Sequence, residues 1–359
     1  MIFNKDHIQD QFSFEPINSQ NIYQSQDCKA IAINNSNDLI LAACDKAVYL
    51  YQFFQDQMKQ LQVVTIHQKL VTTLTICRLK TNYFSTSKDN SIKISSFHLA
   101  SSSKYIQRLQ EHEKPINCLA LHPNQENIFV SGCDDGAIIF WKSNNNQWQK
   151  SQIINEYQNS YLGDIYGLSI NPYSDEVISC THRRWVIVIT KQNNDSYWEI
   201  KQIISNGFGY RIGFITRDIF AFQLRSSSLW IYKRQQDESF QKLRELSVKG
   251  ANQACDYYFP IIYRPQKRFF LSKNGHNLNF ISVNKKVVNQ EIQKQAKNQS
   301  EDDFDFELVQ AIEIKQQYWG EIYGVVSDDG QYLISWSDSE RQFVIRKYID
   351  KQLLTENYV

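Results

Sequence analysis

No stretch of this 359-residue chain approaches the run of roughly 20 apolar residues that a membrane-spanning helix needs, and the amino-terminal MIFNKDHIQDQF is polar and charged, without a secretory apolar core. Neither a membrane span nor a secretory leader is expected, so the chain reads as intracellular and cytoplasmic. An excess of one charge is also missing: the formal net charge is +1, which provides no general field for nucleic acid or an anionic membrane surface. There is no phosphate-binding GxxxxGK loop, no GxSxG elbow, no HExxH and no GxGxxG after a strand. The histidines (His7, His67, His98, His112, His122, His182 and His276) are dispersed, and carboxylate pairs such as Asp134-Asp135 read as turn formers. The 7 cysteines include no CxxC pair. Cys44, Cys77, Cys118, Cys133 and Cys180 fall within expected strands and read as small buried apolar residues of a reducing compartment. No catalytic residue, metal or cofactor is expected, and the chain reads as a non-enzyme. Asn-x-Ser at Asn34, Asn194 and Asn298 reads as ordinary polar loop, because no secretory route is indicated.

What the chain does have is a repeated strand pattern. In His112 to Lys142, HEKPINCLALHPNQENIFVSGCDDGAIIFWK, a first strand is expected over Ile116 to Leu121 and a turn at His122-Pro123-Asn124. A second strand follows over Ile128 to Cys133, then a tight turn at Asp134-Asp135-Gly136 and a third strand from Ala137 to Trp141. Fainter copies recur: LILAACDKAVYLY, YFSTSKDNSIKIS, VISCTHRRWVIVI, FAFQLRSSSLWIY, FFLSKNGHNLNFI and LISWSDSERQFVI. The turn between first and second strands falls near Asn34, Lys80, Pro123, Pro172, Thr216, Pro265 and Ser327, close to the spacing of about 40 to 45 residues expected of propeller blades, with a longer final interval.

His112, Ser131, Asp135 and Trp141 resemble the His, Ser, Asp and Trp positions of the WD40 family. The resemblance implies an all-β, seven-bladed propeller of four-stranded antiparallel blades, and a buried hydrogen-bond chain through those four residues. The copies depart from the pattern in places: Arg183 stands where the third copy has Asp135, and Ser95 stands where it has Trp141. Repeats that bury a face only against a neighbour are read as one domain over 1–359. The abundance of Gln and Asn throughout resembles expanded protist WD40 families and reads as a compositional habit. FSFEPI, with alternating Phe12 and Phe14, is expected to pair with the last blade, so that residues 1–18 close the ring and remove an exposed edge. Residues 287–307, with Glu301, Asp302, Asp303, Asp305 and Glu307, are expected to form a long loop or outer hairpin; Ser300 beside them is a weaker candidate for phosphorylation by an acidophilic kinase.

The family resemblance also implies that partner contacts gather where each first strand begins and at the turn between second and third strands. Repeat alignment places Lys29, Thr72, Asn117, Tyr166, Arg211, Tyr258 and Tyr323 at one level, with Asp27, Asp164, Asp256 and Glu321 two residues earlier in their repeats. Gly163-Asp164-Ile165-Tyr166-Gly167 nearly repeats as Gly320-Glu321-Ile322-Tyr323-Gly324. Strand packing alone would account for the repeated Gly, Ile and Tyr. Period-two alternation with Ile165 and Ile322 inward instead sends Asp164, Tyr166, Glu321 and Tyr323 toward the channel mouth. The binding candidates are thus Lys29, Asp164, Tyr166, Arg211, Asp256, Tyr258, Glu321 and Tyr323, suited to a protein or peptide carrying Arg or Lys. On this reading Tyr166→Ala, Tyr323→Ala and Arg211→Glu would leave thermal stability nearly unchanged. The favoured function is a non-enzymatic interaction scaffold. The alternatives are a constitutive subunit of a larger assembly and, in another class, an enzyme or regulator with a site on the ring.

Overall fold

The computed structural model describes residues 12–17, 22–97, 104–158, 160–191, 197–205, 207–251, 253, 255, 258–285, 304–314 and 321–351. Seven antiparallel sheets form an all-β seven-bladed propeller. Blade one runs Cys28–Ile33, Leu39–Cys44, Ala47–Phe54 and Gln57–Thr65; blade two runs Val71–Ile76, Asn82–Ser87, Ile92–Ser96 and Gln107–Leu109. Blade three is Ile116–Leu121, Ile128–Cys133, Ile138–Asn144 and Gln147–Ile154, and blade four is Ile165–Ile170, Glu176–Thr181, Trp185–Lys191 and Trp198–Ser205. Blade five is Gly209–Thr216, Ile219–Leu224, Ser228–Arg234 and Phe240–Ser247, and blade six is Ile262–Arg264, Phe269–Asn274, Asn277–Lys285 and Phe304–Glu313. Within each blade the strands pair in chain order, so hairpins alone build it.

Blade seven takes Ile322–Val326, Tyr332–Ser337 and Gln342–Asp350 from the carboxyl-terminal part, and its outer strand, Phe12–Pro16, from the amino-terminal part. Phe12 lies opposite Asp350 and Phe14 opposite Tyr348. Both phenylalanines are buried against blade six, with Phe14 stacked on Phe280 at 4.7 Å and Phe12 5.1 Å from Phe269. Of the acidic stretch at 287–307, the described residues 304–307 begin the outer strand of blade six, where Asp305 pairs with Arg244 of blade five. Ser300 lies outside the described residues.

Local chemistry explains the turns. Gly136 in the Asp134-Asp135-Gly136 hairpin has φ of 72°, and Arg184 at the matching place in blade four has φ of 65°. The turn geometry is kept there without glycine, at a cost of about 1 kcal/mol. The apolar faces of successive blades then interlock. Phe84 and Ile94 of blade two pack with Phe129, Trp141 and Trp148 of blade three, while Val130 and Phe140 of blade three pack with Leu168 and Trp198 of blade four.

At four of the seven seams a glutamine on the outer strand of one blade binds the outer strand of the next. Gln152 accepts from Trp198 N (2.7 Å) and donates to Trp198 O (2.5 Å). Gln107 does the same with Trp148 (2.9 and 2.7 Å), Gln202 with Phe240 (2.8 and 3.0 Å), and Gln310 with Phe14 (2.8 and 3.4 Å). Gln152, Gln202 and Gln310 each lie beside a β-bulge in their own outer strand, which turns that strand toward its neighbour. In blade five that position holds Arg244, which reaches Asp305 instead. The Gln content expected to be a compositional habit therefore includes residues with a defined structural use.

Replacing Gln152 by Leu strands the N–H and C=O of Trp198 at the blade interface. Urea denaturation should show a loss of about 1–3 kcal/mol, the cost of leaving buried backbone groups unsatisfied. Gln310→Leu should cost a similar amount by opening the clamp onto Phe14, and the double variant should be nearly additive because the two seams share no partners.

Candidate functional site

Blade three contains three members of the expected hydrogen-bond chain in contact. The Trp141 indole N–H donates to Ser131 Oγ (2.8 Å), which lies 2.7 Å from His112 Nε2. Asp135 is not bonded to the histidine. Its Oδ1 accepts from Ala137 N (2.9 Å) and from the Cys133 thiol, and His112 Nδ1 has no hydrogen-bond partner among the described residues. The expected four-residue chain is corrected to three residues, because the intervening thiol and the turn amide take up the carboxylate. Blade two joins the histidine to its carboxylate: His67 Nδ1 donates to Asp89 (2.9 Å) and Nε2 lies 2.8 Å from Ser85 Oγ. Ser95 stands in the tryptophan's place there. Burial pushes His112 down to about 4 and also lowers His67. In Asp89, hydrogen bonds from His67 and Ser91 outweigh the opposing effect of burial and hold the carboxyl well below its usual range.

The strand starts do not follow simple alternation. Blades one to five each carry a register shift there, at Cys28/Ala30, Val71/Thr73, Ile116/Cys118, Ile165/Gly167 and Gly209/Arg211. The extra residue of such a bulge leaves the ladder, so its side chain no longer obeys period two. In these blades the side chains turn into the seams. Thr72 Oγ1 donates to Ile116 O of the next blade (2.6 Å), Asn117 Nδ2 to Ile165 O (3.0 Å), and Tyr166 packs edge-on to Phe208 and Tyr210 with its hydroxyl 2.8 Å from His182 Nδ1. Tyr166 and Tyr258 are each 9% exposed, Lys29 is 6%, Arg211 is 2% and Tyr323 is 1%. Tyr323 has no such bulge; it lies opposite Trp336 and is packed in the core with Tyr51 and Phe343. The expectation that Tyr166, Tyr323 and Arg211 stand at the surface is therefore corrected: they form the floor beneath the mouth. Asp256 lies outside the described residues.

Three of the candidates meet. Lys29 Nζ bridges Glu321 Oε2 (2.7 Å) and Tyr323 Oη (3.1 Å), tying blade one to blade seven. Around Glu321, the sequence-level reading missed Asp338 and Arg341. Carboxylate oxygens of Asp27, Glu321 and Asp338 lie within 4.8 Å of one another, and Arg341 pairs with Asp338 (2.8 Å) and Asp27 (3.6 Å). The signal was available, since Asp338 occupies the turn between second and third strands. Near Asp164 the missed residue is Tyr161, which is 41% exposed, with its hydroxyl 2.8 Å from Asp134 O and 3.2 Å from Asp164 Oδ1. The Arg183 guanidinium stands over the Tyr161 ring at 5.6 Å. Beneath runs a channel cavity of about 590 Å³, walled by inner strands including Ala32, Leu121, Ile170 and Phe214. Its far end holds Arg78 (2.9 Å) and Arg264 (3.4 Å) on the single carboxylate of Asp328. Burial lowers Arg264 to about 10.

Tyr323→Ala should lower stability by about 3–5 kcal/mol in chemical denaturation, the range for large aromatic deletions in a core. Arg211→Glu should also destabilise, by burying a charge of the wrong sign. Because His112 titrates at about 4 when folded against an ordinary 6.5, the unfolded chain takes up the proton first. Its contribution is intact above pH 6.5 and is lost as pH falls from 6.5 toward 4, by up to about 3 kcal/mol. A pH series of urea midpoints should be flatter across that window in His112→Gln than in the parent.

Residues 103–142 match the WD40 family, described as "WD domain, G-beta repeat". The match runs from the outer part of blade two through the third strand of blade three, so one sequence repeat straddles a blade boundary. No curated protein matches the sequence. Among solved structures, a chain of the "Crystal Structure of Mitotic Checkpoint Complex" is similar at 12% identity and a TM-score of 0.65, over 97% of this chain and 96% of that one. At that identity the likeness is one of fold. No helix among the described residues is long and apolar enough to cross a membrane. The chain is a seven-bladed β-propeller that carries a WD40 repeat spanning its second and third blades.

Proposed function

We propose that the chain is a non-enzymatic interaction platform that recognises a basic protein or peptide segment at the mouth formed by the strand starts. The observation that carries this reading is the arrangement of accessible acidic groups at two nearly opposite seams of the ring. Asp27, Glu321 and Asp338 cluster where blades seven and one meet, and Asp164 stands beside exposed Tyr161 where blades three and four meet. Carboxylates beside an aromatic hydroxyl suit Arg and Lys side chains, through charge-assisted hydrogen bonds and cation–π contact. Lys29, Tyr166, Arg211, Tyr258 and Tyr323 support that surface from below. The similar fold in a complex of several proteins fits a protein partner. An intracellular setting fits seven free cysteines.

A second reading, that of a constitutive subunit of a larger assembly, is favoured by the apolar rim of blade one, where Phe54 is 66%, Leu61 55% and Val63 40% exposed.

Binding to an array of Lys/Arg-rich peptides, with acidic peptides as controls, separates the readings. The parent should prefer the basic set and lose affinity with added salt. Asp27→Lys with Asp338→Lys should weaken binding about tenfold, roughly 1.4 kcal/mol, with stability changed by about 0.5 kcal/mol or less at each partly exposed position. Equal binding of acidic and basic peptides would overturn the mouth reading, and a concentration-dependent oligomer abolished by Leu61→Lys would favour the subunit reading.

A further inference from the structure

We propose that Cys28 and Cys44 are an oxidisable dithiol that closes to a disulfide across the first two strands of blade one. The two residues are direct cross-strand partners. The ladder bond that flanks them, from Asp45 N to Asp27 O (3.0 Å), marks them as a non-hydrogen-bonded pair. In such pairs the Cα atoms approach to about 4.5 Å with side chains close together, inside the range of about 4.4–6.8 Å that a disulfide spans. Both residues are 0% exposed, and the Cys28 thiol donates only a long hydrogen bond to Ala30 O (3.7 Å).

The propeller itself does not require this pairing. At the same place the other described blades oppose Val71 to Ser87, Ile116 to Cys133, Ile165 to Thr181, Gly209 to Leu224 and Ile322 to Ser337. Cys118 and Cys180 also influence each other electrostatically, but their strand partners are Gly132 and Gly167. Blade one is thus the described blade in which both members of this pair are thiols. Lys29, which holds Glu321 and Tyr323, occupies the bulge immediately beside Cys28, so the cross-link would fix the strand start that joins blade one to blade seven.

With a small-molecule disulfide RSSR as oxidant, one cysteine thiolate displaces RS⁻ and forms a mixed disulfide. The second thiolate attacks the protein sulfur of that bond and expels the other RS⁻. The two protons lost by the cysteines convert the departing thiolates into two RSH, and the two electrons reduce RSSR. Burial first, and then the neighbouring Cys44 sulfur, raises the Cys28 thiol well above its usual range, so exchange in the native state is slow and proceeds through local opening. The inference rests on blade one alone and is independent of the peptide-binding reading.

The test is to incubate the full chain with excess oxidised glutathione, in buffer and in urea just below the unfolding transition, then to block free thiols with N-ethylmaleimide and map the peptides by mass spectrometry. The expected result is loss of two alkylatable thiols, a cross-linked peptide joining Cys28 to Cys44, faster formation in urea, and full reversal by dithiothreitol. In Cys44→Ser, Cys28 should be recovered unlinked to any other cysteine. Recovery of Cys28 and Cys44 as alkylated or separately glutathionylated peptides even in urea would overturn the proposal. So would a cross-link that joins Cys118 to Cys180 in their place. The mapping on the parent chain decides the matter whether or not the variant folds.

Discussion

A propeller blade has two apolar faces and is stable only when both are covered, so the whole structure depends on how one blade is held against the next. Here the outer strands are joined by glutamine side chains that act as extra backbone, each giving one N–H and taking one from a residue of the neighbouring strand. Because Trp148, Trp198, Phe240 and Phe14 are the residues held, the same amide both satisfies a polar edge and fixes an aromatic anchor in the seam. Hydrogen bonding and apolar burial therefore reinforce each other at the same place. Phe14 extends the pattern to the strand contributed by the other end of the chain.

The blade pattern was legible because it is local. Alternating apolar strands, the Asp134-Asp135-Gly136 turn and the spacing of the hairpins lie within a few residues of one another, and they specify an all-β repeat without reference to anything distant. The glutamine clamps were not legible. Gln152 and Trp198 are 46 residues apart, and nothing distinguishes that glutamine from the many on solvent-facing positions until the register is known. The bulges were missed for a related reason. A bulge inserts a residue without a compositional mark at Lys29, Thr72, Asn117 or Tyr166, and it reverses the orientation that alternation assigns. Repeat alignment found which residues share a level, but not whether that level faces water. The turns carrying Asp338 and Asp134 were better guides to the surface, since a hairpin turn has little opportunity to be buried.

The floor of the mouth is more polar than an ordinary core. Lys29, Thr72, Asn117 and Arg211 are all nearly inaccessible, and three of them spend their donors on the adjacent blade. Such groups tolerate little displacement, because each donor that loses its acceptor becomes a desolvated orphan. The upper surface is consequently set on a rigid base, and the exposed acidic groups above it inherit fixed positions from side chains that no ligand touches.

The seams also differ in electrical character. Those closed by Gln107, Gln152, Gln202 and Gln310 use neutral amides, which neither titrate nor respond strongly to ionic strength. Between blades five and six the corresponding contact is the exposed Arg244–Asp305 ion pair, which mobile ions screen. Of these five outer-strand contacts, rising salt therefore weakens the one between blades five and six and leaves the four amide clamps unchanged, so the outer rim does not loosen evenly.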